Sequence, residues 1–220
     1  VLVLHGTAGS GASMLTPAFA GELFGPGQAL DASRYYIIIP DTLGHGKSSK
    51  PSDGLRMKFP KYNYEDMVDA HYRLLTEHMN IRHLRLVIGN SMGGMETWIF
   101  ATKYPSYMDV AVPMACFPTE MGSRNWMLRR LITDSIRNDP DWKGGDYLVE
   151  GSRPQKGLAV ARMAAHITYL SESALQRKFG RELRRDDLVV EPVIEHVVAG
   201  RGAGLGRVLL AEEVRGAGEQ

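Results

Sequence analysis

One stretch in the middle of the chain limits what this chain can fold into. Residues 84–88 are aliphatic apart from Arg85, and they lead directly into Gly89-Asn90-Ser91-Met92-Gly93. An apolar run of this length predicts a strand buried in a parallel sheet, and residues 95–104, without Gly or Pro, predict a helix after it. Glycines two residues either side of a serine permit the tight strand-to-helix turn that exposes a nucleophilic hydroxyl. Ser91 is therefore the candidate nucleophile, and an ordinary glycine-rich turn is the alternative.

The start of the chain supplies candidate partners for this serine. Residues 1–4 are apolar and precede a loop of small residues, His5-Gly6-Thr7-Ala8-Gly9. Where a serine lies on such a turn, one N–H donor to the negative oxygen of the intermediate comes from the residue after the serine, and another comes from such a loop. We predict the N–H groups of Thr7 and Met92 as this oxyanion hole. His5 is predicted to hydrogen bond within its loop, with a role as general base as the alternative.

Further apolar runs predict additional strands, with helices between them. Residues 34–39 and 110–114 are strand candidates, and between them residues 63–79 repeat apolar positions at helical spacing. Asn63 and Asp66 are placed like a reciprocal N-terminal cap of that helix. Strands that alternate with helices predict an α/β fold with a doubly wound, mostly parallel sheet.

A turn-rich loop begins at Asp41, after the second predicted strand. Its glycines allow positive φ and Asp41 can form an Asx-type turn, so we predict a structural role, with His45 and Ser48 as a catalytic pair the alternative. Because the carboxyl ends of parallel strands meet at one edge of a sheet, Asp41, Thr7 and Ser91 are predicted to line one crevice.

Charge and cysteine content narrow the function classes. A near-balance of 26 basic and 25 acidic residues predicts neither a nucleic-acid nor an anionic-membrane partner. The chain shows no apolar span of membrane-crossing length and no signal-peptide pattern, and Cys116 is its only cysteine. His71 and His78 lack companions at metal-ligand spacing, so we predict that they pack or lie at the surface. We expect a cytoplasmic protein that acts on a small-molecule substrate without a metal.

The second half of the chain has a different sequence pattern, which is mainly helical. Residues 126–136 and 157–169 predict helices, and residues 138–147 predict a turn-rich loop between them. Helices in this position can form a cap that excludes water and selects substrate, and further core helices are the alternative. We divide the chain into three regions: a core at 1–116, a helical cap at 117–188 and a divergent tail at 189–220.

Several sequence segments besides the serine motif resemble those of a known protein family. They are residues 25–27, 30–31, 34–35, 89–95, 139–147, 157–163, 167–169 and 178–181. Together they are similar to the homoserine O-acetyltransferase family of α/β-hydrolase-fold acyltransferases. The resemblance implies an α/β-hydrolase fold in which Ser91 takes an acyl group from acyl-CoA, a co-substrate and not a bound cofactor, and passes it to a hydroxyl. It also implies that Arg162 holds the carboxylate of the acceptor through a bidentate pair, and it leaves a homodimer open.

Other features depart from that family. Residues 5–9 and 40–48 are closer to general esterases, which keeps an esterase-type hydrolase as an alternative function. The triad Asp and His of this fold follow later strands, but Asp186 and Asp187 are too near the cap, and His196 lacks the expected flanking residues. We expect a chain truncated at both ends that lacks its C-terminal strands, so a non-catalytic remnant is the third hypothesis.

Overall fold

The computed structural model describes residues 1–180 and divides into two units. Val1–Glu120 is the first unit, and the second begins at Met121. The predicted tail, the end of the predicted cap, and the three residues considered for the triad, Asp186, Asp187 and His196, lie outside the described residues. Among the described residues, no helix combines the length and the apolar character that crossing a membrane needs.

A parallel sheet forms the centre of the first unit. Strand β2 (Leu84–Asn90) lies between β1 (Leu2–Leu4) and β3 (Met108–Met114). Leu2 stands opposite Val87 in one pair, and Leu84 stands opposite Met108 in the other. The strand that leads to Ser91 is therefore supported by hydrogen bonds along both edges.

The side chains of these strands alternate between two apolar clusters. Leu2 and Leu4 are fully buried in a cluster with Phe100, whereas Val3 and Ile88 pack in the second cluster. Because successive side chains of a strand point to opposite faces, a continuous apolar run is needed when both faces are covered. This packing explains why the strands have no regular polar positions.

Two of the three α-helices of the first unit were predicted from the sequence, and the short first helix was not. The chain forms α1 (Ala20–Leu23), α2 (Tyr64–Arg73) and α3 (Met92–Lys103), with 3₁₀ segments at Gly11–Leu15, Pro51–Asp53 and Arg56–Lys58. Helix α2 begins with the predicted cap, since the Asn63 N–H donates to Asp66 Oδ2 (2.8 Å) and the Asp66 N–H donates to Asn63 Oδ1 (3.0 Å). The predicted continuation to residue 79 is a π-helical turn at Leu74–His78.

The strand predicted at residues 34–39 is reduced to one bridge, between Leu2 and Ile38. The Ile38 N–H donates to Val1 O (2.8 Å), and the Val3 N–H donates to Ile38 O (2.9 Å). The next donor in this ladder would be the N–H of Pro40, and proline has none. The predicted strand is therefore too long, although Ile38 takes the expected place at the edge of the sheet.

The second unit contains a helical hairpin. Helices α4 (Ser123–Arg137) and α5 (Gln155–Tyr169) confirm the two predicted helices, a 3₁₀ segment lies at Pro140–Gly145, and α6 (Glu172–Phe179) was not predicted. The two long helices approach closely at Gly157, where an added Cβ would lie 2.2 Å from Ser135 O. Asp139 fixes the connection, because its carboxylate accepts from the N–H groups of Gly157 (2.6 Å) and Asp141 (2.9 Å).

Substituting Gly157 with alanine should destabilise the hairpin. The added methyl group meets the backbone of α4, and overpacking of this kind costs about 1–3 kcal/mol. Gly21→Ala is the matched control, because Gly21 also lies inside a helix and a Cβ there meets only Pro17 Cβ, at 3.9 Å. Denaturant unfolding followed by circular dichroism checks both variants, and equal unfolding free energies would contradict the close approach.

Candidate active site

Ser91 occupies the turn between β2 and α3 in a backbone conformation that is rare for serine. Its φ is 53° and its ψ is −112°, and such values cost a non-glycine residue about 1–3 kcal/mol. The turn is held on both sides, since the Ser91 N–H donates to Met114 O (2.9 Å) and Ser91 O accepts from the Met95 N–H (3.1 Å). The side chain of Ser91 is exposed. This is the geometry expected of the predicted nucleophile turn, and its catalytic role stays a prediction.

Two glycines let the turn sit against the neighbouring strand. A Cβ on Gly93 would lie 2.3 Å from Leu4 O, and a Cβ on Gly89 would lie 2.2 Å from Gly93 O. Both contacts are with backbone atoms, which cannot move aside without shifting a strand or a helix. The glycines that define the motif are therefore required by the packing of β1, β2 and α3.

The loop after β1 lies beside this turn. A Cβ built on Gly6 would be 3.6 Å from Ser91 Cβ. Met92 is the first residue of α3, so its N–H has no acceptor within the helix and lies at the positive end of the helix dipole. The structure thus brings the loop that contains Thr7 next to Ser91 and Met92. The assignment of the two N–H groups as an oxyanion hole remains a prediction.

His5 is fully buried and holds that loop in place. The Thr42 N–H donates to His5 Nε2 (3.0 Å), which places the proton of the neutral ring on Nδ1, and Nδ1 donates to Gly6 O (2.9 Å). Burial lowers the pKa of His5, which favours the neutral ring. With both nitrogens engaged, His5 has the predicted structural role within the loop.

The same contacts orient the candidate donor on Thr7. The carbonyl of Gly6 and the N–H of Thr7 belong to one planar trans peptide, so they point in opposite directions. Gly6 O accepts from His5 Nδ1 and from the Gly9 N–H (2.9 Å), and His45 Nε2 donates to Thr7 O (2.8 Å). Fixing these two carbonyls fixes the direction of the Thr7 N–H.

Asp41 shapes the neighbouring loop. Its carboxylate accepts from the N–H groups of Gly11 (2.6 Å) and Lys47 (2.7 Å), and its carbonyl accepts from Ser48 Oγ (2.6 Å). Gly46, at φ 51°, comes so close that a Cβ there would overlap the Asp41 carboxylate. These contacts agree with the predicted structural role of this loop.

The stability of the protein should depend on the ionisation of Asp41. Burial alone raises the pKa of this carboxyl, but the N–H groups of Lys47 and Gly11 outweigh it and hold the pKa below its ordinary value of 3.8. A lowered pKa in the folded state gives stability that is present above the ordinary pKa and is lost as pH falls through the folded-state pKa. We expect the stability advantage of the wild type over Asp41→Asn to be constant near neutral pH and to shrink in acid. Urea unfolding across this pH range checks the prediction, and parallel curves would contradict it.

Arg162 lies on α5 in the second unit and is half-buried. Its carbonyl accepts from His166 Nδ1 (2.7 Å), and its own Nε is buried without a hydrogen-bond partner among the described residues. An unpaired buried donor of this kind costs about 1–3 kcal/mol, so it is a place where a bound carboxylate would gain a charged hydrogen bond. The sequence pattern alone did not predict this burial.

Within residues 1–180, no histidine or carboxylate side chain hydrogen bonds to Ser91 Oγ. The described residues also contain no group of three or more metal-ligating side chains. The described residues therefore do not identify a general base for Ser91.

The comparisons with known proteins define the family. Residues 1–191 match the α/β hydrolase fold family, so the chain belongs to that family and the predicted fold class is confirmed. Among curated proteins, the homoserine O-acetyltransferase of Caulobacter vibrioides is 43% identical over 180 residues, which are 78% of this chain and 47% of that protein. The homoserine O-acetyltransferase of Pelagibacter ubique is 38% identical over 203 residues, which are 86% of this chain and 54% of that protein. The predicted resemblance is confirmed, and the chain spans about half the length of these relatives.

Solved structures include both enzyme types considered above. An acetylester hydrolase from Corynebacterium glutamicum superposes with a TM-score of 0.69 at 25% identity, over 83% of this chain and 53% of that chain. A homoserine O-acetyltransferase from Bacillus anthracis superposes with a TM-score of 0.66 at 26% identity, over 87% of this chain and 56% of that chain. The fold alone therefore does not separate transfer from hydrolysis.

Proposed function

We propose that the chain belongs to a serine acyltransferase that moves an acyl group from acyl-CoA to the hydroxyl of an amino acid through an acyl-serine. The observation that carries the proposal is Ser91, exposed at the end of β2 in a strained turn next to the loop of Thr7. The similarity of the chain to homoserine O-acetyltransferases, at 38–43% identity, supports a hydroxy amino acid as the acceptor.

The reaction has two halves. Ser91 Oγ attacks the thioester carbonyl while its proton passes to a general base, and CoA leaves as the thiol with that proton. The N–H groups of Thr7 and Met92 stabilise the negative oxygen of each tetrahedral intermediate. The acceptor hydroxyl then gives its proton to the base and attacks the acyl-serine, which restores the serine hydroxyl. In this fold the base is a histidine oriented by a carboxylate, both later in the chain than the serine.

The test of the proposal is a direct search for the acyl-serine. The full chain is incubated with acetyl-CoA, quenched in acid and digested, and the peptide that contains Ser91 is examined by mass spectrometry. We expect one acetyl group on Ser91 and its transfer to a hydroxy amino acid added before the quench. Absence of the modified peptide after rapid quenching, with Ser91 also unreactive to a fluorophosphonate, would overturn the proposal.

Arg162 is the proposed clamp for the carboxylate of the acceptor. Loss of a charged hydrogen bond costs about 1.5–3 kcal/mol, so Arg162→Ala should raise the KM for the acceptor by roughly tenfold to a hundredfold. The KM for acyl-CoA should not change, and the exposed Arg153→Ala is the matched control. Initial-rate kinetics with each substrate varied in turn checks this, and an equal effect on both substrates would contradict the assignment.

An esterase-type hydrolase is the second candidate function. It is supported by the loop at residues 5–9 and by the acetylester hydrolase with a TM-score of 0.69. Free acetate as the sole product in the presence of hydroxy amino acids would favour hydrolysis. Cooperative unfolding without any Ser91 acylation would favour the non-catalytic remnant. A cytoplasmic location and a homodimer stay predictions, the latter open to size-exclusion chromatography with light scattering.

A further inference from the structure

A buried line of polar side chains lies behind the loop that contains Thr7. Glu96 Oε2 on α3 is 3.1 Å from His71 Nε2 on α2, and both side chains are almost fully buried. The same His71 nitrogen is 3.3 Å from Thr42 Oγ1, and the Thr42 N–H donates to His5 Nε2. Four buried residues therefore connect α3 to the loop after β1. The prediction that His71 packs or lies at the surface did not include this partner.

The chemistry of these groups sets the direction of the hydrogen bonds. One proton lies between Glu96 Oε2 and His71 Nε2, since a hydrogen bond between these two atoms needs one donor. Thr42 presents its hydroxyl to that nitrogen and its N–H to His5. Because the Thr42 N–H donates to Nε2, His5 keeps its proton on Nδ1, which is the tautomer that donates to Gly6 O.

We infer that Glu96 and His71 are positioning residues for the candidate oxyanion donor on Thr7, acting through Thr42 and His5. The catalytic part of this inference rests on the proposed function. Helix α3 carries Glu96 and also begins with Met92, the residue of the other candidate donor. The line of contacts thus connects the loop that contains Thr7 to the helix that begins with Met92. This connection keeps the relative position of the two N–H groups constant.

The energetics favour a positioning role over a stabilising one. A buried polar or ionic pair is often no more stabilising than apolar side chains of the same volume, because desolvation offsets the attraction. Glu96 Oε1 has no hydrogen-bond partner among the described residues, which costs about a further 1–3 kcal/mol. Stability alone therefore does not explain a carboxylate at this place, whereas the orientation of His71 and Thr42 does.

The experiment compares variants that interrupt the line at two points. Glu96→Gln replaces the carboxylate with an amide at one end, and Thr42→Val replaces the hydroxyl with a methyl group of similar size. Thr42→Ser, which keeps the hydroxyl, is the conservative rescue. Phe100→Leu is the matched control, because Phe100 is fully buried on the same helix and belongs to the apolar cluster. Each full-length variant is examined by NMR of the His5 imidazole and the Thr7 amide, and by fluorophosphonate labelling of Ser91.

We expect Glu96→Gln and Thr42→Val to shift the His5 and Thr7 signals. We also expect both variants to lower the maximal rate of Ser91 labelling by about tenfold or more, without changing the fluorophosphonate concentration that gives half-maximal rate. For comparison, complete loss of one oxyanion donor lowers kcat by a factor of about 10²–10³. Thr42→Ser should restore both readouts, and Phe100→Leu should lower stability alone.

The inference would be overturned if Glu96→Gln and Thr42→Val both fold and both leave the His5 and Thr7 signals unchanged. Shifted signals with an unchanged labelling rate would overturn its catalytic part. If the wild type shows no labelling, the proposed function fails, while the NMR signals still decide whether Glu96 and His71 position the loop.

Discussion

Replacing Ser91 with alanine should abolish formation of the acyl-enzyme and leave the protein as stable as before. Loss of the serine of a catalytic triad lowers kcat by about a million-fold. The remaining activity is far below what a quenched acylation experiment detects. Alanine has no hydroxyl to attack the thioester, but it experiences nearly the same strain at a φ of 53°. Intact-protein mass spectrometry after incubation with acetyl-CoA, together with a thermal melt, measures both quantities.

Two further variants make this result specific. Ser91→Gly should also be inactive but more stable by about 1 kcal/mol, because glycine adopts positive φ without strain. Ser48→Ala should remain competent for acylation, since the Ser48 hydroxyl donates to the carbonyl of Asp41 in its own loop. Acylation that persists in Ser91→Ala but disappears in Ser48→Ala would assign the nucleophile to the other serine.

The parts of the fold that sequence could predict are those with local causes. Helix α2 begins directly after Asn63 because this cap and its reciprocal partner Asp66 are only three residues apart. The turn at Ser91 follows from glycines within two residues of it. The short bridge at Ile38 is different, because the effect of Pro40 depends on its register against Val3, and register is a non-local property.

The polar line behind the site could not be predicted because it joins residues far apart in the sequence. One local signal was present: Met92, Glu96 and Phe100 are spaced by four and lie on one buried face of α3. A carboxylate between two apolar residues on such a face indicates a buried partner, but not which one. That His71 on α2 is the partner depends on how the two helices pack.

The proposed role of Arg162 rests on a different kind of signal. Its assignment came from the family resemblance, since an arginine on a helix is ordinarily solvated. The structure adds the burial of its Nε without a described partner. Burial of one atom depends on tertiary packing and is not encoded in the spacing of α5.

Replacing Gly93 with alanine should strongly destabilise the first unit, because the added methyl group meets the backbone of β1. The new Cβ would lie 2.3 Å from Leu4 O and 2.8 Å from His5 O, both of them backbone atoms. Overpacking costs about 1–3 kcal/mol where side chains can adjust, and more is expected here because β1 itself must move. Helix propensity acts in the opposite direction, since alanine is better than glycine by about 1 kcal/mol in a helix.

Gly21→Ala separates the two effects, because Gly21 lies in α1 and a Cβ there meets only Pro17 Cβ, at 3.9 Å. We expect Gly21→Ala to be neutral or stabilising and Gly93→Ala to be strongly destabilising in urea unfolding. If β1 yields to the methyl group, the loop of His5 and Thr7 is carried away from Ser91, and acylation should fall even in molecules that remain folded. Equal unfolding free energies for the two variants would mean that Gly93 does not pack closely against β1. The close contact between the turn of Ser91 and the loop of His5 and Thr7 would then be wrong.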